Sequence, residues 1–118
     1  MTKVLVVDDE PQIRRALSLN LGARAFEVIE ATTGEDALAA VRTEAPDVLL
    51  LDLGLPDLDG LTVLGQLREW SDVAVIVLTA RDDEGSRLQA FELGADDYVT
   101  KPFDMTDLVE RISAVVVS

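Results

Sequence analysis

Cysteine and histidine are both missing from this chain. Without cysteine there is no disulfide framework, and without either residue a zinc site loses its usual ligands. Basic residues are scarce as well: 10 Lys and Arg stand against 23 Asp and Glu, leaving a formal net charge of -13. Affinity for a phosphate backbone comes mainly from Lys and Arg displacing counterions, so this balance argues against a nucleic-acid interface on the domain. Any contact with DNA is expected from another part of the protein. Long hydrophobic runs are lacking too. The chain is 48% hydrophobic, but charges and glycines cut that content into pieces far shorter than the roughly 20 apolar residues of a membrane span. Met1 leads straight into a Val-rich segment with no basic stretch, apolar core and cleavage site, so no secretory signal is visible. A soluble, cytoplasmic protein without membrane contact is expected. No internal repeat, low-complexity tract or Ser/Gly linker divides the 118 residues, which suffice for one core, so residues 1–118 are read as a single domain.

What is present is an alternation of short elements. Continuous apolar runs at Val4–Val7, Val48–Leu51 and Val73–Leu78 have the composition of central strands buried on both faces. Glu27–Ala31 and Asp97–Thr100 carry more polar residues and suit the sheet edges. Between them run helical patterns. Pro11 opens one with Ile13, Leu17 and Leu21; Gly34 precedes a second through Ala37, Leu38 and Val41; Leu61, Leu64 and Leu67 mark a third. A weaker fourth surrounds Leu88, Ala90 and Phe91, with Gly85 inside and Gly94 past its end, and the last carries Leu108, Ile112 and Val115. Strict β-α alternation with right-handed crossovers gives an α/β fold: a five-stranded, doubly wound parallel sheet of flavodoxin-like (βα)5 type, order 2-1-3-4-5.

Ligands of such sheets bind beyond the carboxyl ends of the strands. The first strand ends in Asp8-Asp9, the third in Asp52, the fourth in Thr79, and the fifth is followed by Lys101-Pro102. Carboxylates brought together there repel one another by roughly 4 kcal/mol per contact pair at an effective dielectric near 20, and so call for a cation. Two or three acids with water completing the shell suit Mg²⁺. A divalent cation, a lysine and a threonine hydroxyl around one carboxylate form a site built to neutralise a phosphoryl group, with Asp52 as the nucleophile.

At this point the sequence resembles a receiver domain of the two-component response regulators over essentially its whole length. The motifs VLVVDDE, LLLDLGLPDLDG, IVLTAR and GADDYVTKPF, in this order, carry the resemblance. It implies a phosphorylation-activated switch, with a sensor histidine kinase as donor and Asp52 as phosphoacceptor, rather than an enzyme in the ordinary sense. Asp8 and Asp9 are then the acidic pair of an Mg²⁺ site that also uses Asp52 and the main-chain carbonyl of Gly54, with Mn²⁺ able to substitute. Thr79 and Lys101 become phosphoryl contacts, Tyr98 an aromatic switch that turns inward as Thr79 moves, and the Lys101–Pro102 peptide cis. Gly54 and Arg81 flank the path of the attacking water. GADDYVTKPF and the final LVERI further resemble regulators with a winged-helix DNA-binding domain, and LDLGLPDLDG with LREWS resembles the subgroup controlling potassium-transport operons. That likeness implies transcriptional output through a domain outside this chain. It also implies a homodimer on phosphorylation, with Leu88, Phe91 and Val109 at its centre, Arg87 pairing with Asp107 of a second copy and Asp97 with Arg111.

Other readings stand beside these. Asp9 could simply cap the first helix, Thr79 could be a satisfied strand-end hydroxyl, Lys101 a solvated surface lysine, and Tyr98 an edge-strand aromatic. Asp57 and Asp59 suit a turn with Pro56 and Gly60, or capping of the third helix. The dimer charges could bridge within one subunit. A stand-alone receiver acting through protein contacts is the alternative to a longer regulator. A haloacid-dehalogenase-like phosphohydrolase also uses a strand-end Asp and Mg²⁺, but it needs a second acid where this chain has Gly54, and no insertion supplies a substrate cap. A flavodoxin-like cofactor site would place a phosphate against DDEPQ, which repels it.

Overall fold

Apolar residues on both sides of a strand can be buried only if both faces of the sheet are covered, and the computed structural model shows this arrangement. It describes residues 1–116, so the last two residues of the expected 1–118 unit lie outside the described residues. The elements are β1 (Lys3–Val7), α1 (Pro11–Ala23), β2 (Glu27–Ala31), α2 (Gly34–Glu44), β3 (Val48–Leu51), α3 (Gly60–Arg68), β4 (Ala74–Thr79), α4 (Glu84–Glu92), β5 (Asp97–Thr100) and α5 (Met105–Val116). All strand pairs are parallel, and the order is β2-β1-β3-β4-β5. Among the described residues no helix is long and apolar enough to cross a membrane.

Alternation along each strand divides the core in two. Leu5, Val7, Leu49, Leu51, Val75 and Val77 face α2, α3 and the inner side of α4, whereas Val4, Val6, Val48, Leu50, Ile76 and Leu78 face α1 and α5. Leu17 and Leu21 of α1 and Leu108 and Ile112 of α5 are fully buried, each worth about 1.5–3 kcal/mol relative to an exposed side chain. Ile13 and Val115 of the expected stripes pack only at the margin of that core.

Three expectations shift. The fourth strand begins at Ala74, one residue after Val73, and takes in Thr79. Helix α4 buries only Ala90, while Leu88 and Phe91 are 55% and 40% exposed, which explains its faint pattern. Asp9 does not cap α1 either: the N-cap is Glu10, without a side-chain cap bond, and Pro11 occupies the first turn, where a missing N–H costs nothing.

Register sets where the strand ends meet. Val7 lies opposite Leu51, and Leu51 opposite Val77. Asp8 and Asp52 therefore follow their strands side by side, and Thr79 lies two residues past the β3–β4 partner of Leu51. The Asp52 N–H donates to Val7 O at 3.0 Å, which extends the ladder up to Asp52 itself. The loop after β3 then closes tightly. A Cβ on Gly60 would lie 2.6 Å from both Asp52 O and Leu53 Cα, so only glycine lets α3 begin against that backbone.

Candidate functional site

Asp8 and Asp52 are both buried, and Lys101 reaches between them from the loop after β5. Its Nζ lies 2.7 Å from Asp8 Oδ2, 3.4 Å from Glu10 Oε1 and 3.5 Å from Asp52 Oδ2. The first contact is a charge-assisted hydrogen bond; the longer two are mainly electrostatic. Burial pushes the Asp8 carboxyl above its ordinary pKa and outweighs the opposing bonds from Lys101 and the Glu10 N–H, and the charge of Asp52 adds to the rise. Burial alone would lower Lys101, but the carboxylates of Asp8, Asp52 and Glu10 prevail and raise it. The lysine thus stays charged and serves as the internal counter-ion of the acids.

Asp8, Glu10 and Asp52 each offer a carboxylate oxygen, all within 4.8 Å of one another. A trio of hard oxygen donors open to solvent on the Glu10 side could hold a divalent cation and suits Mg²⁺ far better than a soft metal. The third member here is Glu10, which is not among the site residues expected from the sequence; its signal is the unbroken run Asp8-Asp9-Glu10. Asp9 is exposed, outside this trio, and has no hydrogen-bonding or ion-pair partner among the described residues. Gly54 is exposed beside the site, and its N–H donates to Asp52 Oδ1 at 3.3 Å. The Lys101–Pro102 peptide is cis.

Thr79 is buried, and its Oγ1 accepts a bond from the Arg81 N–H at 3.3 Å. Tyr98 is already turned inward in this structure: it is only 2% exposed, and its hydroxyl donates to Arg81 O at 2.8 Å. Arg87 lies over the Tyr98 ring, 5.5 Å from its centroid.

Asp57 and Asp59 take different parts in ordering the loop after β3. Asp59 caps α3 through the Leu61 N–H and forms an ion pair with Arg81 at 2.8 Å. Asp57 does not cap α3; it reaches across to α2 and accepts from the Gly34 and Glu35 N–H groups at 2.7 and 3.0 Å. Nothing local in the sequence marks that contact, which joins residues more than 20 positions apart.

On the face formed by α4, β5 and α5, Leu88 and Phe91 are exposed and Val109 is half-buried. Arg111 bonds both oxygens of Asp97 at 2.8 and 2.9 Å and Asp107 Oδ2 at 2.9 Å, all within one subunit. Arg87 lies over the rings of Phe91 and Tyr98. A groove of about 500 Å³ between β2 and α2, lined by Ile29, Ala31, Ala39 and Ala40 among others, lies away from all these groups.

A parallel sheet of order 2-1-3-4-5, with paired acids and one lysine meeting at the carboxyl ends of its strands, defines the receiver class of signalling domains. The chain belongs to the response regulator receiver domain family, whose model matches residues 4–113. It is 56% identical over 116 residues to the transcriptional regulatory protein KdpE of Mycobacterium tuberculosis, a match covering 98% of this chain and 51% of that protein. To the KDP operon transcriptional regulatory protein KdpE of Escherichia coli it is 46% identical over 112 residues, covering 95% of this chain and 50% of that one. Both agree with the subgroup to which LDLGLPDLDG and LREWS point. Among solved structures it resembles the BeF3-activated N-terminal receiver domain of RstA from Klebsiella pneumoniae, with a TM-score of 0.95 at 28% identity over 99% of this chain and 100% of that one. The chain spans about half the length of these curated relatives.

Proposed function

We propose that this domain, taken as residues 1–118, is a cytoplasmic phosphorylation switch in which Asp52 accepts a phosphoryl group from a sensor histidine kinase. The observation that carries this reading is the placement of Asp52 beside Asp8 and Lys101, with a cluster of hard oxygen donors opening to solvent. In the transfer, an Asp52 carboxylate oxygen forms a bond to phosphorus while the phosphorus–nitrogen bond of the kinase phosphohistidine breaks, its electron pair leaving with the imidazole nitrogen. Lys101 is placed to pair with one phosphoryl oxygen, and the Thr79 hydroxyl to bond another.

Asp8, Asp9, Asp52 and the Gly54 carbonyl would hold Mg²⁺, or Mn²⁺ in its stead, with Glu10 at the rim. The bound cation would neutralise the acids and the incoming phosphoryl oxygens. Asp9 has no partner to give up, so its turning in costs no existing bond. The domain takes part in its own phosphorylation and dephosphorylation but turns over no separate substrate.

By analogy with the KdpE relatives, the whole protein controls transcription, in the potassium-transport subgroup, through a DNA-binding domain distinct from this acidic one. Phosphorylation would drive pairing of two copies through α4, β5 and α5. Leu88, Phe91 and Val109 form the apolar centre. Arg87 and Asp107, and Asp97 and Arg111, pair between copies once Arg111 exchanges its internal partners. Intact-mass measurement after incubation with acetyl phosphate and Mg²⁺ tests the core of this reading: one phosphoryl group is expected on the wild type and none on Asp52→Ala, and equal addition to both would overturn it.

A further inference from the structure

Arg81 contacts Thr79, Tyr98 and the loop that follows Asp52. Its guanidinium donates from Nη2 to Asp59 Oδ2 at 2.8 Å and from Nη1 to Asp59 Oδ1 at 3.3 Å, and Nη2 also reaches Leu53 O, the carbonyl next after Asp52, at 3.3 Å. Its main chain serves the other two residues: the N–H donates to Thr79 Oγ1 at 3.3 Å, and the carbonyl accepts from the Tyr98 hydroxyl at 2.8 Å. Asp59 is fixed in turn as the cap of α3, and its backbone bridges to Gly54. A single side chain thus anchors the loop after β4 to the loop after β3.

We propose that the Asp59–Arg81 ion pair is a positioning latch that holds the Arg81 carbonyl where the Tyr98 hydroxyl can reach it, so that the inward position of Tyr98 depends on a carboxylate in the phosphoacceptor loop. This rests on the reading of Asp52, Thr79 and Tyr98 as one switch. Tyr98 is buried and its hydroxyl has this carbonyl as its partner, so losing that partner favours a ring position where water can replace it. The carbonyl belongs to a short loop between Thr79 and the N-cap of α4 at Asp83, and the forked contact to Asp59 fixes that loop against β3. The pair is partly exposed, with side-chain exposures of 35% and 43%, so its effect on the Tyr98 equilibrium is modest, a factor of about two to five. Motion of the loop around Asp52 would be felt at Tyr98 through this pair, in addition to any path through Thr79.

The chain holds one tyrosine, so selective ring labelling gives a single set of signals. The test compares wild type, Asp59→Asn, Arg81→Gln and the double variant, all unphosphorylated and without metal, with circular dichroism to verify folding. Asparagine retains the capping ability of Asp59, so helix α3 is preserved. Each single variant is expected to raise the population of solvent-exposed Tyr98 ring by about two- to fivefold, and the double variant to go no further than either. High salt should move the wild-type signals the same way and leave Asp59→Asn unmoved. Folded single variants with wild-type Tyr98 signals, or fully additive shifts in the double variant, would overturn the latch. Because this experiment needs no phosphorylation, failure of the latch and failure of Asp52 as acceptor are read independently.

Discussion

Lys101 Nζ sits 2.7 Å from Asp8 Oδ2, with the two side chains only 11% and 3% exposed. Even so, Asp8 remains harder to ionise than a free aspartate, because burial outweighs the lysine's help. A group whose folded pKa is raised contributes stability below its unfolded value and loses it as pH rises through the folded value. At neutral pH the ionised Asp8 is therefore a cost in the metal-free domain. Asp8→Asn is expected to raise metal-free stability at pH 7 by on the order of 1 kcal/mol, measured by urea unfolding. The gain should shrink as pH falls toward the raised carboxyl pKa; a variant less stable than wild type at pH 7 would contradict it.

The same rule applied to Lys101 places its window at the alkaline end. Its pKa is raised above 10.5, so its stabilising contribution is complete below that value and lost as pH climbs through the folded one. Thermal unfolding of wild type should weaken there more steeply than that of Lys101→Met.

Metal affinity is expected to separate the two adjacent aspartates. Asp8 already has Lys101 as its counter-ion, whereas Asp9 has no partner among the described residues. Asp9→Ala is expected to weaken Mg²⁺ binding by about tenfold or more, and by more than Asp8→Ala does. Calorimetric titration of the two variants decides it, and an unchanged affinity in Asp9→Ala would remove Asp9 from the site.

Gly60→Ala puts a Cβ 2.6 Å from two backbone positions, Asp52 O and Leu53 Cα, neither of which can rotate away. The loop must shift, at a cost of about 1–3 kcal/mol, and phosphorylation by acetyl phosphate should slow with it. Urea unfolding and a time course of phosphorylation measure both effects.

Asp57 should show an acid-side effect. Bonds from the Gly34 and Glu35 N–H groups lower its pKa, so its contribution is present above the unfolded pKa and disappears as pH falls through the lower folded value. Asp57→Ala is expected to unfold at lower urea concentration than wild type at pH 7, with the difference closing in strong acid.

These effects also mark the limits of the sequence as a guide. The strands at Val4–Val7 and Val48–Leu51 were legible because burial on both faces leaves an unbroken apolar run, and strand-end residues such as Asp52 and Thr79 followed from the topology. Helix α4 was faint because Leu88 and Phe91 face outward and break the expected stripe. The reach of Asp57 to α2 and the pairing of Asp59 with Arg81 join residues more than 20 positions apart on different segments, and no local periodicity encodes such contacts. Glu10 is less legible, because it precedes Pro11 at the start of α1 and only the fold brings its carboxylate within 3.4 Å of Lys101 Nζ.

Chemical mapping of the phosphoryl group tests the central claim most directly. After phosphorylation with acetyl phosphate and Mg²⁺, borohydride reduction converts an acyl phosphate on aspartate to homoserine, which peptide mass spectrometry locates by residue. The expected result is homoserine at position 52 alone, lost when the cation is chelated before phosphorylation. Homoserine at Asp8, Asp9 or Asp57 in place of Asp52, or none at all on a protein carrying the added mass, would contradict the assignment.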